Sequence, residues 1–514
     1  MKRPQLTRAS LTSTTAVAVY LALAKLLLHL LTNRQYGYFR DELYYLACGE
    51  HLAWGYADQP PLIAVVARAT RLLGDSLFAL RLPAALAGAL LVFVTGLVVR
   101  ELGGRRFAVV VSSLAVIIAP VYLYLHTVLT MNAFEPLIWT TAAYLFVLIV
   151  KYERPRLWLL FGAVAGVGLL NKHSTLLFGA AFVAGLILTP ARKYLASRWL
   201  WLGGVVAALI FLPNVLWEAR HEWATVEVLR NAAVNQNLPL SPAGFVAGQL
   251  QLMHPLTVPL WLGGVYCYLR APWAKPYRAL GYTFALVFVL TFVLKGKIYY
   301  VAPAYPLVFA AGAVGWERAV ARLGRPWLRA VTVGVLVLGG LVTAPLMLPV
   351  LPVERYRAYA QALGVEGVKT EKLTFGALPQ HFADMFGWEE LTATVAGVYR
   401  ALPEAERARC AVFARNYGEA GALDFYGPRY GLPKVIGKHQ NYWLWGPRAY
   451  TGECVITVGE RLKDVQKSFD QVEQVATFTH PYVMPYENNL PVFLCRRPKQ
   501  SLKEIWPRTK CYSC

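Results

Sequence analysis

Asp41 and Glu42 stand a few residues beyond a long apolar run, and Asp58 follows in a second polar segment closed by Gln59, Pro60 and Pro61. Acids beside an apolar phase lose hydration that neighbouring groups must replace, so they call for a partner or a chemical task. The plain alternative is a set of wetted carboxylates at headgroup depth. Farther along, Lys172 interrupts another apolar run, flanked by Asn171 and His173. An ionisable group there marks a functional site or an ion pair, or else a lysine snorkelling to an interface. Lys295 and Lys297 lie at the end of an apolar run with Tyr299 and Tyr300 behind them, a basic and aromatic rim suited to a lipid phosphate and equally able to anchor at an interface. Glu135, in a polar turn with His126 and Asn132, is placed to pair with Lys172 or to bind hydroxyl groups.

The elements that must position these residues are membrane helices. Hydrophobic residues make up 57% of the chain and charged residues 16%, against roughly 25% charged in a soluble domain. Apolar runs fall at about 12–32, 77–99, 107–126, 131–150, 157–171, 173–189, 199–216, 243–268, 279–294, 299–317 and 328–349, which predicts about eleven spans and at most thirteen, with 157–189 readable as one broken element. The first run lacks a small-residue cleavage site and reads as a helix. Short connections at 100–106, 151–156, 192–198, 270–278 and 317–329, together with Lys2 and Arg3, are rich in Lys and Arg and belong in the cytoplasm. The segments 33–76, 126–131, 217–242, 295–298 and everything after about residue 350 then face outward. The net charge of +22 is thereby accounted for by topology and anionic lipid, and needs no nucleic acid.

Residues 1–349 thus form a membrane part and 350–514 a soluble extracytoplasmic α/β domain, with strand-like runs at 410–414, 454–458 and 492–495. Five of the seven cysteines lie in this tail; an outward compartment permits disulfides, with Cys454–Cys495 the first expected pairing and Cys511–Cys514 the second. A dense stretch from Asn416 and Tyr417 to Gly427, and another from Gly437 to Gly446, follow the first strand and read as an acceptor-facing surface or as packing. No GxGxxG cradle is present, so no nucleotide sugar is expected. The outward segment 217–237, with Arg220, His221 and Glu222 near two tryptophans, reads as a flap over a ligand or as an amphipathic helix on the bilayer.

The first outward loop resembles that of the polytopic GT-C glycosyltransferases, above all the bacterial branch similar to dolichyl-phosphate-mannose protein mannosyltransferases and to the aminoarabinose transferases of lipid A. The resemblance rests on Asp41-Glu42 after the first helix, on Asp58-Gln59-Pro60-Pro61 at the second acidic motif, on Gly168-Leu169-Leu170-Asn171-Lys172, and on the segment from Lys297 to Pro306, and it covers about 12–320. It implies a GT-C membrane fold in the bacterial inner membrane, amino terminus inside. It also implies transfer of a sugar from a polyprenyl-phosphate donor to an outward acceptor: protein, glycolipid or polysaccharide. The family more often has Glu-Lys-Pro-Pro at the second motif; here Asp58 and Gln59 remove a cation expected to meet the carrier phosphate.

Such a transfer needs a general base within about 3 Å of the acceptor hydroxyl, and a one-step displacement inverts the sugar carbon. Chemistry alone leaves Asp41 and Asp58 as alternatives; the resemblance assigns the base to Asp41. Asp58 then orients a hydroxyl or joins Asp41 on a divalent ion, and Glu42 is a further acid of the site. Lys172, Lys297 and Lys295 with Tyr299 and Tyr300 are expected to hold the phosphate, Glu135 to pair with Lys172 or bind sugar hydroxyls, and Gln59 and Arg220 to contact the donor. The acids with His126 or His173 have no spacing specific to a metal, which leaves a divalent ion open. A lipid transporter or flippase is the rival; it would show an inverted repeat, which the helix pattern lacks.

Overall fold

The computed structural model describes residues 12–365, 367 and 371–513, so Lys2, Arg3 and Cys514 lie outside it. The chain forms two compact units. One comprises the described residues up to Arg34 with Phe78–Leu216 and Leu238–Tyr356; the other comprises Gln35–Leu77, Trp217–Asn237 and Arg357–Cys514. The segments 35–77 and 217–237, read from sequence as loops of the membrane part, thus share a unit with the tail.

The first unit is helical. Among the described residues seven helices are long and apolar enough to cross a membrane: Thr14–Thr32, Leu77–Glu101, Met131–Tyr152, Arg198–Arg220, Pro272–Val293, Ile298–Leu323 and Trp327–Met347. The pair Thr175–Ile187 and Pro190–Ala196 is apolar enough as a whole but bent by 109° at its break, the form of a broken span or of a re-entrant loop. Several of the apolar runs fall short of spanning length because they are broken. The run 107–126 stops at Ile118 and restarts at Pro120, whose ring removes a backbone donor. The run 243–268 divides at His254, with φ of 72°, and Pro255, into Pro242–Met253 and Val258–Arg270. The runs 157–171 and 173–189 are separated at Lys172, whose backbone is extended, where the sequence reading divides them. Arg198–Arg220 and Trp327–Met347 leave Leu202, Val205, Leu209, Leu338 and Leu341 exposed, as suits contact with lipid. Where helices meet, small residues allow close approach: a Cβ on Gly264 would strike the Val308 carbonyl, and one on Gly312 the Leu260 carbonyl.

The second unit holds a five-stranded mixed sheet, β1 (Cys410–Ala414), β2 (Ile436–Gly437), β3 (Cys454–Val458), β4 (Phe469–Phe478) and β5 (Leu490–Pro498), ordered β2-β1-β3-β5-β4. β1 is parallel to both neighbours, whereas β3–β5 and β5–β4 are antiparallel. β1 and β3 are buried throughout and read as apolar runs; β4 is largely exposed and polar, which hid it from the sequence reading. Phe413, Val455, Phe493 and Trp506 belong to the core on the sheet.

Register decides the disulfide. Cys410 lies opposite Cys454 on parallel neighbours, Cα atoms 4.5 Å apart, and the two are bonded. Cys495 lies opposite Val455, one residue out of step, and stays a buried free thiol. The expected Cys454–Cys495 pair is therefore replaced, while the Cys511–Cys514 pair falls outside the described residues. The bridge spans 44 residues, a loop whose closure stabilises by about 4 kcal/mol in the chain-entropy picture. Reductant should lower the unfolding free energy of this unit by that order in the wild type and by much less in the Cys410→Ala/Cys454→Ala protein; equal sensitivity would assign the effect elsewhere.

Candidate active site

Asp41 lies in the first turn of the Arg40–Glu50 helix, whose start is fixed by Glu42: its Oε2 accepts the Phe39 amide at 2.8 Å. Glu42 is fully buried, with this carboxylate oxygen turned back on the backbone at the helix start. Asp58 is carried by the tight turn in which Tyr56 and Gln59 exchange backbone hydrogen bonds. The Gln59 side chain is fully buried, its amide 3.7 Å from the Cys48 sulfur.

The helix Tyr417–Tyr426 packs on Arg40–Glu50. It starts straight after β1, capped by Asn416, whose Oδ1 accepts the amides of Gly418 and Glu419 at 2.9 and 3.1 Å. Glycine spacing allows the approach: a Cβ on Gly418 would meet Arg40, and one on Gly421 the Leu43 backbone. The Tyr417 hydroxyl thereby donates to Asp41 Oδ1 at 2.8 Å, and the Tyr44 hydroxyl donates to Asp58 Oδ1 at 2.8 Å. The two tyrosine rings lie 4.8 Å apart, and Arg40 sits over the Tyr417 ring at 4.5 Å. Asn441 anchors the Asp58 turn by accepting the Ala57 amide at 2.6 Å.

Burial pushes Asp58 up to about 7, with its Tyr44 hydrogen bond opposing and the charge of Asp41 adding. Asp384, also raised to about 7 mainly by burial, accepts the Tyr486 hydroxyl at 3.3 Å. Both acids titrate higher in the folded chain than unfolded. The stability they lend is full at pH below the unfolded values near 3.8 and is lost as pH rises through about 7. The thermal midpoint of the wild type should fall between pH 5 and 8, and Asp58→Asn should flatten that fall; a parallel curve would contradict the assignment.

In the helical unit, Lys172 follows the Leu157–Asn171 helix. Its ammonium donates to Asn132 Oδ1 at 2.7 Å and Glu135 Oε2 at 3.2 Å, and lies 4.2 Å from the Tyr300 ring centre and 5.6 Å from that of Tyr299. Ser174 donates to the other Glu135 oxygen. Lys172, Glu135, Tyr299 and Tyr300 are thus one cluster. Lys297 caps the Ile298–Ala304 turn and is partly exposed, whereas Lys295 is exposed with φ of 53°. His173 contacts Asn214 at 3.1 Å. His126 instead lies against His29, ring centres 6.0 Å apart. In the second unit, Arg220 is exposed at its helix end, beside the stacked pair Trp217–His221. Among the described residues no three His, Cys, Asp or Glu side chains are arranged to hold a metal ion.

Tyr44, Tyr417, Arg40, Asn441, Asn132 and Ser174 had no site role assigned from sequence. Tyr417 and Asn441 lay in tail stretches whose aromatic and glycine density was visible, but their alignment with the first loop is a long-range contact that no local pattern encodes.

The helical membrane unit and the small α/β unit carrying paired acids define a multi-pass membrane protein of GT-C architecture. Residues 58–217 match the family model for dolichyl-phosphate-mannose-protein mannosyltransferase. Over 243 residues the chain is 28% identical to the lipid A galacturonosyltransferase RgtD of Rhizobium johnstonii, covering 45% of this chain and 50% of that protein. The chain therefore spans about half the length of this curated relative. Among crystal structures, ArnT from Cupriavidus metallidurans in the apo state superposes with a TM-score of 0.62 at 16% identity, covering 94% of this chain and 97% of that one. The same protein bound to undecaprenyl phosphate gives 0.59 at 14%, covering 93% and 97%. The resemblance read from the loop motifs is borne out, and the solved structures extend it to the fold.

Proposed function

We propose that the chain transfers a sugar from a polyprenyl-phosphate carrier to an acceptor hydroxyl on the outer face of the bacterial inner membrane. The observation that carries this reading is the pairing of Asp41 and Asp58, brought from two loop motifs into one aromatic site where each is held by a tyrosine hydroxyl. Asp41 takes the acceptor proton as the acceptor oxygen attacks the anomeric carbon; the bond from that carbon to the phosphate oxygen breaks, and its electron pair leaves on the phosphate. One displacement inverts the sugar carbon. Lys297, with Lys172 and the tyrosines beside it, neutralises the departing phosphate. Asp58 orients the sugar or the acceptor.

The undecaprenyl phosphate bound by the ArnT relative supports a polyprenyl carrier. The name of the curated relative favours a lipid A-type glycolipid as acceptor over protein or polysaccharide. The Cys410–Cys454 bridge suits an oxidising outer compartment for the sheet unit. The test is release of free polyprenyl phosphate from a panel of sugar-loaded carriers by purified protein, without acceptor and with lipid A, protein or polysaccharide as acceptor. Acceptor-dependent release from one carrier supports the reading and names the sugar. No release from any carrier by folded protein, with any of the three acceptor classes, overturns it in favour of lipid transport.

A further inference from the structure

Within the second unit, one contact from the helix after β1 reaches the proposed base. Tyr417 opens the helix that follows β1, and its hydroxyl donates to Asp41 Oδ1 at 2.8 Å. Its position is held from several sides. Its amide donates to His439 Nδ1 at 3.3 Å, its ring stacks on His439 at 5.1 Å, and Arg40 covers the ring while donating to the Tyr486 hydroxyl at 2.8 Å. Burial first, then Arg40 and Lys438, bring His439 down to about 3, so the imidazole is neutral and free to accept that amide. Burial also holds the Tyr417 phenol well above its ordinary value, with Arg40 opposing and Asp41 adding, so the hydroxyl keeps its proton and donates.

The groups facing Asp41 explain why a donor is needed. Asp58 comes from the Tyr56–Gln59 turn, Asp384 from the segment after the Gln380–Ala383 helix, Tyr45 from Asp41's own helix and Tyr417 from the α/β unit. Behind Tyr417 lie Arg40, Tyr486, Glu487 and His439. A base must be ionised to accept a proton, and a hydrogen bond donated to a carboxylate favours that ionised form. We infer that Tyr417 is a positioning residue for the transfer reaction: the α/β unit supplies, through this hydroxyl, the hydrogen bond that aims Asp41 and keeps it in its basic form. The inference rests on the base assigned to Asp41 above. It gives the sheet unit a part in catalysis in place of the acceptor surface or scaffold read from sequence.

The test is the pH profile of polyprenyl phosphate release by the full-length protein, for wild type, Tyr417→Phe and a protein carrying 3-fluorotyrosine at position 417. A lost charge-assisted hydrogen bond should move the acid limb of kcat in Tyr417→Phe upward by about one to two pH units. On the acid limb turnover at a given pH would fall by roughly ten-fold or more, recovering toward the wild type as pH rises above the shifted limb, with the donor KM within about two-fold. Fluorotyrosine, isosteric and a stronger donor, should move the limb the other way, and it keeps the question answerable if the phenylalanine variant misfolds. An acid limb unmoved by fluorotyrosine, or a loss in Tyr417→Phe that is uniform across pH, overturns the inference. A wild type that releases nothing from any carrier overturns the transferase reading itself, a distinct outcome.

Discussion

Asp41→Asn is expected to lower carrier-phosphate release by about 10²- to 10⁴-fold, the range lost when a positioned general base is removed. The amide keeps the carboxylate's volume and an oxygen that still accepts the Tyr417 hydroxyl, so the fold and carrier binding should survive. Asp58→Asn makes the contrast. Asp58 already holds its proton to about pH 7, so near neutrality an amide imitates half of its population, and the loss should be about ten-fold or less. Turnover and carrier binding measured side by side in the two variants separate the acids, which chemistry read from sequence alone could not. Full turnover in Asp41→Asn, or a deep loss confined to Asp58→Asn, would move the base to Asp58. Equal loss of carrier binding in both would make Asp41 a support of the binding site.

The sequence carried the membrane class and the acids of the site because both depend on local signals: apolar length, charge asymmetry, and carboxylates left beside an apolar phase. It misjudged continuity. Pro120 and Pro255 each divide an apolar run that hydropathy alone reads as unbroken, whereas the Asn171–Ser174 break falls where the sequence interrupts its run. It could not show that Glu42 turns a buried carboxylate oxygen onto the Phe39 amide. It chose the wrong partner for Cys454 because register, which sets Cys410 opposite, is settled by strand pairing across 44 residues. The helix at 417–426 shows the same limit: its glycines were visible, but only packing on Arg40–Glu50 reveals that they bring a tyrosine to Asp41.

Lys172 poses the second large test, because a buried lysine can serve its ion pair or a ligand. Its ammonium meets Glu135, whose side chain is 3% exposed, while its own is 13% exposed. Removing one member of so buried a pair leaves an uncompensated charge and costs about 3–5 kcal/mol, whereas removing both is close to neutral. Lys172→Met should therefore lower the thermal midpoint strongly, and Lys172→Met/Glu135→Gln should recover most of it, since the glutamine oxygen can still accept from Ser174. Donor KM then decides the role. If Lys172 also meets the carrier phosphate, KM stays raised by about ten-fold or more in the double variant despite the recovered stability. A KM restored along with stability would confine Lys172 to holding the break between the Leu157–Asn171 and Thr175–Ile187 helices, and would leave Lys297 to meet the phosphate.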